Sequence, residues 1–211
     1  APSKQGPVFL PLSEALSSHG DLIRDHLMQN PLSTGSQKFA LLHLASQRNG
    51  AFVYLPKGCR LDTPLHVFHW IAGSAQSIFP HTLIIADEGS AATVVDWYAS
   101  ADDTLHMACA VSDLWLKKGA ALEYLAVQQW NRQTRSIHSC STHVGEEASA
   151  LALGLHLGGE YSRFEHTSRL LARGARSDMY GLTVADGKQH FDQRTLQDHA
   201  DVDRRVARDL E

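Results

Sequence analysis

The sequence predicts an all-β core built as a right-handed parallel β-helix, a solenoid, preceded by a small N-terminal helical subdomain. Three observations predict it. First, a marker made of Gly and a small residue recurs as Gly58-Cys59, Gly89-Ser90, Gly119-Ala120 and Gly174-Ala175, with Glu147-Ala148 in the remaining slot. The intervals are 31, 30, 28 and 27 residues, and each marker follows one apolar strand and precedes another. A regular period of this length marks stacked supersecondary units rather than a closed sheet. Second, two-residue hairpin signals such as Asn-Gly are nearly absent between the strands, and no segment leaves room for a crossover helix. Parallel coils need neither, and the usual chirality of parallel crossovers makes them right-handed. Third, Leu151, Leu153, Leu155 and Leu157 alternate strictly with Ala150, Ala152, Gly154 and His156, which is read as a leucine ladder facing inward.

Residues 1–50 stand outside the repeat and read as a helical cap, which a solenoid needs because its end coil otherwise leaves strand edges unpaired. Val8 to Leu10 is a short extended piece. Ser13 is the expected N-cap of a helix over Glu14–Ser18, and Asp21 that of a second over Leu22–Gln29. Gln37–Arg48 forms a third helix with Gly50 as its stop. The β-helix core spans 51–199. It opens on Ala51–Leu55, closed by the turn Pro56-Lys57-Gly58, and continues through Leu65–Ile71, Thr82–Ala86, Ala92–Tyr98, Met107–Leu116 and Ala121–Trp130. After the leucine segment come Arg169–Gly174, Asp178–Ala185 and Gln189–His199. Residues 200–211 fit no part of the repeat and form a tail open to disorder.

The chain of 211 residues is long enough for one large domain. A net charge of −4 and no basic run interleaved with aromatics exclude nucleic acid as the main partner. No apolar stretch reaches the ~18–20 residues that cross a bilayer, so no membrane role is expected. Three widely spaced cysteines, Cys59, Cys109 and Cys140, give neither a disulfide framework nor a CxxC knuckle, and fit a reducing, cytoplasmic compartment.

The segment Asn49-Gly50-Ala51-Phe52-Val53-Tyr54-Leu55-Pro56-Lys57-Gly58 resembles the "DGAFVYVPKG" segment of the SufB/SufD family of iron–sulfur cluster assembly scaffolds. Leu12–Leu16 and Phe39–Leu42 are similar to that family's N-terminal helical region. Gly158-Gly159, Ser162-Arg163, Gly174-Ala175 and Tyr180-Gly181-Leu182 follow its order of motifs. Gln189, His190 and Asp192, then Asp198 and His199, resemble its "QHxD…DH" ending. The short helical region before the first strand looks most like the SufD member.

The resemblance implies a non-enzymatic cytoplasmic scaffold that pairs with a SufB-like subunit and works with a SufC-like ABC ATPase. A homodimer is a further option. No firmly bound cofactor is implied, only transient iron or a nascent Fe–S cluster in the full complex. In the family the chain continues with more β-helix and with ATPase-docking helices. Asp201–Glu211 matches none of that, so the chain reads as a core truncated at its C-terminus.

Cys140, with His138 on the same strand face, is the candidate for sulfur or soft-metal chemistry, because a thiolate is the ligating species and an imidazolium would stabilise it. A buried, unreactive thiol is the simpler reading. No catalytic residue is assigned. Gln189, His190, Asp192, Asp198 and His199 are expected to hold strands together through hydrogen bonds. Two other classes compete. A carbohydrate-active β-helix enzyme, a lyase or hydrolase, would use paired acids such as Asp102-Asp103. A cupin-type metal protein would need His66, His69 and His81 together, yet His66 and His69 fall on opposite strand faces.

Overall fold

A computed structural model describes residues 6–30 and 36–200. The expected tail beyond Ala200 lies outside the described residues. Strand β1 (Val8–Pro11) leads into helix α1 (Leu12–His26), and α2 (Gln37–Ser46) precedes the first coil. The coils then alternate between two sheets. One carries β2 (Gly50–Leu55), β4 (Ser77–Ile78), β5 (His81–Ala86), β7 (Met107–Leu116), β9 (Arg135–Val144), β11 (Tyr161–Leu170) and β13 (His190–His199). The other carries β3 (Leu65–Ile71), β6 (Ala91–Ser100), β8 (Ala121–Gln129), β10 (Ser149–His156) and β12 (Arg176–Thr183). We call them the first and second sheets.

Neighbours run in the order β1-β2-β5-β7-β9-β11-β13 and β12-β10-β8-β6-β3, with β4 set beside β7. Every pairing is parallel except β1 with β2. The protein is therefore a parallel β-solenoid, as the repeat predicts.

The markers are the corners. Gly58, Gly89, Gly119 and Gly174 have φ between +65° and +75°, and Glu147 takes the same left-handed conformation at +52°. That conformation is cheap for Gly and strained for Glu. Four corner N–H groups bond to the next coil: Gly58 to the Glu88 carbonyl, Gly89 to Lys118, Gly119 to Glu146 and Glu147 to Arg173, at 2.8–3.0 Å. The residues before the markers alternate in charge, and Lys57 pairs with Glu88 at 2.6 Å and Lys118 with Glu146 at 2.9 Å.

The lumen between the sheets is filled by Val53, Leu55, Ile84, Val94, Leu114 and Leu122, by Tyr98 and Tyr124, and by a run of alanines. Burying each large aliphatic side chain contributes about 1.5–3 kcal/mol, before the entropy of ordering the chain. A second apolar cluster lies outside the first sheet, where Leu12, Ala15 and Ile23 of α1 cover Phe52, Leu83 and Ile85. Together with β1, this covers the first sheet at the N-terminal end.

The structure corrects four expectations. The leucines of β10 point outward and are half-buried, while Ala150, Ala152, Gly154 and His156 face the lumen. A Cβ on Gly154 would meet His156 Nε2 and the Phe164 ring, so bulk arriving from the opposite strand leaves room only for small residues on β10. Helix α1 is two helical pieces that meet at a kink where His19 leaves the helical conformation, as the two expected helices require, but Pro11 rather than Ser13 is its N-cap and it ends at His26 rather than Gln29. Helix α2 ends at Ser46, and Gly50 starts β2, where a Cβ would collide with the His81 carbonyl oxygen. Finally, the ladder has a strand over Tyr161–Leu170 and turns at Ala172–Gly174, where a strand over Arg169–Gly174 is expected.

Candidate functional site

Alternation along each strand decides which polar side chains enter the lumen. On β6 it sends Asp96 inward within an otherwise apolar run. The Tyr98 and Tyr124 hydroxyls donate to Asp96 Oδ2 at 2.8 and 2.7 Å. His69 Nε2 lies 3.1 Å from Asp96 Oδ1, an ion-pair contact whose angle is too poor for a hydrogen bond. His69 is instead bonded to Thr82 Oγ1 at 3.0 Å. The Ser112 hydroxyl sits 2.7 Å from that of Tyr124 and 2.9 Å from His138 Nε2. A continuous polar chain thus crosses the lumen from Thr82 through His69, Asp96, Tyr124 and Ser112 to His138.

Burial alone would raise the Asp96 carboxyl, but the facing His69 and the Thr82 and Tyr124 hydroxyls outweigh it and hold the group ionised below its usual range. Burial, then the Asp96 charge, pushes Tyr98 and Tyr124 well up. Burial drives His138 down to about 3, so its ring is neutral at physiological pH.

Cys140 follows His138 on the same face of β9 and belongs to the lumen core. Burial raises its thiol, and the Asp113 and Asp96 carboxylates raise it further. His138 is neutral and two carboxylates lie nearby, so burial and their charge outweigh the Thr142 hydroxyl, the one contact that favours a thiolate. The arrangement suits a packed thiol.

A second chain lies under α2, on the outer face of the first sheet. His43 Nδ1 is 2.8 Å from the Cys109 carbonyl and His43 Nε2 is 3.0 Å from His81 Nδ1. His81 Nε2 in turn lies 3.2 Å from Asp113 Oδ2. Asp113 accepts from the Met28 N–H at 2.7 Å and from Ser141 at 2.6 Å. Burial outside the first sheet thus ties both helical segments to the solenoid through one carboxylate.

The remaining sequence candidates are dispersed. Gln189 donates to the Gly159 carbonyl at 2.9 Å and accepts from the Asp186 N–H at 2.9 Å, stitching two turns. His190 stacks on Tyr161 with ring centres 5.2 Å apart. Asp192 faces Arg163 at 3.3 Å and Arg194 at 3.4 Å, and Asp198 faces Arg169 at 3.1 Å. His199 ends β13, paired with Leu170. These contacts join β13 to β11 and bring no reactive groups together.

His66 lies exposed outside the second sheet, His69 in the lumen and His81 under α2, so the three do not converge. Asp102 is engaged within its turn: Thr104 and then His106 hold its carboxyl at about 2. No group of three or more His, Cys, Asp or Glu side chains is placed to hold a metal ion among the described residues. Asp96, Ser112, His43 and Asp113 escape sequence reasoning. The one available signal is an aspartate inside each of two apolar strands, β6 and β7.

The features define a parallel β-solenoid capped at one end by helices and carrying a bonded polar chain in its lumen. The profile of the SUF system FeS cluster assembly SufBD core domain matches residues 69–203, and the chain belongs to that family. It is 29% identical over 191 residues to the iron-sulfur cluster assembly protein SufB of Bacillus subtilis, covering 89% of this chain and 40% of that protein. An iron-sulfur cluster assembly SufBD family protein of Staphylococcus epidermidis is 28% identical over 187 residues, covering 88% and 40%. One from Staphylococcus haemolyticus is 27% identical over 183 residues, covering 86% and 39%. The chain thus spans about 40% of the length of these curated relatives.

Proposed function

We propose that this chain is a SufD-like scaffold core that assembles through its last coil with a SufB-like subunit and carries no catalysis of its own. Contact with a SufC-like ATPase is assigned to the part of the relatives' length that this chain does not span. Iron or a nascent cluster is cargo of the complex in this reading, held transiently rather than as a resident cofactor.

One observation supports the pairing surface. At the N-terminal end antiparallel β1 covers the edge of β2 while the edge of β3 stays unpaired, and at the other end no strand pairs with the outer edges of β12 and β13 among the described residues. The His190 N–H donates to Glu160 at 2.9 Å and the Ala200 N–H to Leu170 at 3.0 Å, so even-numbered positions of β13 bond to β11. The N–H groups of Phe191, Gln193, Thr195 and Gln197 therefore point away from β11, the side on which a further strand, of a following coil or of a partner, would bond.

Co-expression with a SufB-like subunit tests this. The chain should co-purify with it, and Thr195→Pro should abolish co-purification while leaving the circular dichroism spectrum unchanged, since proline removes a free-edge donor only. Failure of the unsubstituted chain to co-purify, or indifference to the proline, would overturn the proposal.

A further inference from the structure

A cavity of about 460 Å³ lies on the outer face of the first sheet, between α2 and the N-terminal ends of the strands. Register sets Ser77, Met107, Arg135 and Tyr161 side by side there, from β4 through β7 and β9 to β11. Ile137, the next outward position on β9, forms the floor, Phe39 of α2 a wall and Leu105 the rim. The volume falls within the ~300–1,000 Å³ of small-molecule sites, which share this mostly apolar lining. The walls are tied in place. The Cys109 thiol donates to the Phe39 carbonyl at 3.4 Å, and the Gln76 N–H to His106 Nδ1 at 3.2 Å. His106 Nε2 in turn lies 2.8 Å from Asp102. Arg135 is the one Arg, Lys or carboxylate side chain in the lining among the described residues. Its Nε donates to Glu160 at 2.9 Å, and neither Nη has a partner among the described residues. Lys38 Nζ lies 5.1 Å from the centre of the Phe39 ring, so a second cation stands at the same wall.

The geometry points to a small-molecule site for a monocarboxylate with an aliphatic body, the chemistry of a medium-chain fatty acid. The aliphatic body fills the space between Phe39, Met107 and Ile137, and leaving water for these walls supplies most of the affinity. Arg135, with its side chain 65% exposed, stands at the mouth and takes the carboxylate on its paired Nη donors. Charge selects the head group. Two cations against one carboxylate, Glu160, favour an anion. Glu160 also sits against the guanidinium, where it repels a second negative charge more than a first, so a phosphate dianion fits less well than a carboxylate. By holding Nε, Glu160 orients the guanidinium and leaves its two-pronged end for the ligand.

Equilibrium dialysis of the full chain against radiolabelled decanoate, below its micelle concentration, should show one saturable site per chain. Leu105→Glu should abolish it; the residue is 53% exposed, so the circular dichroism spectrum should not change. Arg135→Gln should weaken binding about fivefold, the scale of an exposed ion pair. Phe68→Ser, an exposed apolar position outside the second sheet, should leave binding unchanged, which separates the cavity from adsorption to apolar surface in general. Decyltrimethylammonium, a chain of the same length with a cationic head, should fail to displace decanoate. The site makes no use of the β13 edge, so Thr195→Pro should bind decanoate as the unsubstituted chain does. Absence of a saturable site, binding indifferent to Leu105→Glu or to Arg135→Gln, or displacement by the cationic amphiphile would overturn the inference.

Discussion

His43 Nε2 lies 3.0 Å from His81 Nδ1, so a helix outside the repeat is hydrogen-bonded, ring to ring, to the second coil of the solenoid. Both rings are fully buried, and the chain continues to the Cys109 carbonyl on one side and Asp113 on the other. Truncating either ring leaves a buried polar group without its partner.

His43→Ala should therefore lower the unfolding free energy by about 2–4 kcal/mol, combining the orphaned partners with the cavity left behind. Urea denaturation read by tryptophan fluorescence gives the number. A loss below about 0.5 kcal/mol would show that the ring pair does not anchor α2.

Acid sensitivity follows from the same burial. Burial lowers His43, His143, His156 and His166 to about 4 and His138 to about 3. In the unfolded chain they titrate near the ordinary value of 6.5. Between those limits the unfolded state binds more protons, so stability is full above about pH 6.5 and falls as pH drops towards 4. Each histidine contributes up to about 1.4 kcal/mol per pH unit across that window. The urea midpoint should fall steeply from pH 7 to pH 5. A flat profile would mean that these rings titrate in the fold as they do in the unfolded chain.

Asp96 holds two tyrosine hydroxyls in the lumen, so Asp96→Ala should cost about 3–5 kcal/mol, the range for breaking a buried charged network. Asp96→Asn retains an acceptor oxygen and should cost clearly less. Equal losses from the two substitutions would show that shape, not hydrogen bonding, is what Asp96 supplies.

Thiol labelling separates Cys140 from a reactive cysteine. Under native conditions at pH 8, Cys59, the partly exposed thiol, should react with a disulfide reagent, whereas buried Cys109 and Cys140 should wait for unfolding. Mass mapping that finds Cys140 modified in the native protein would reinstate it as a sulfur acceptor.

Glycine substitutions should divide by surroundings rather than by position in the repeat. A Cβ on Gly158 would run into the Trp130 backbone, while Gly89 at φ +66° has nothing within 4 Å. Gly89→Ala should cost only the left-handed backbone penalty of about 1–2 kcal/mol. Gly158→Ala forces two coils apart and should cost more. Thermal melts of the two variants check the ranking.

These particulars show what the sequence could reveal. The corner conformation is written in the Gly markers plainly enough that even Glu147 is read as an occupant of the same slot, and its φ agrees. The strand β11 was legible only in fragments, because its lumen face, Ser162, Phe164, His166 and Ser168, is too polar to register as a hydrophobic period. Alternation in β10 fixes two faces but not which is inward, and the answer depends on Phe164 and His138, far away in sequence. Apart from Tyr98 and Asp96, two positions apart on β6, the links of the polar chains join residues 12 to 85 apart, a separation at which no local pattern connects them.

The corner charges bear on how such a chain avoids misthreading. Coils of near-identical shape could zip together out of step. Slippage by one coil would bring Lys57 level with Lys118, and Glu88 level with Glu146. Exposed pairs of this kind add little stability individually. Their alternating sign instead acts as a parity check that rejects every odd slip of the stack during folding.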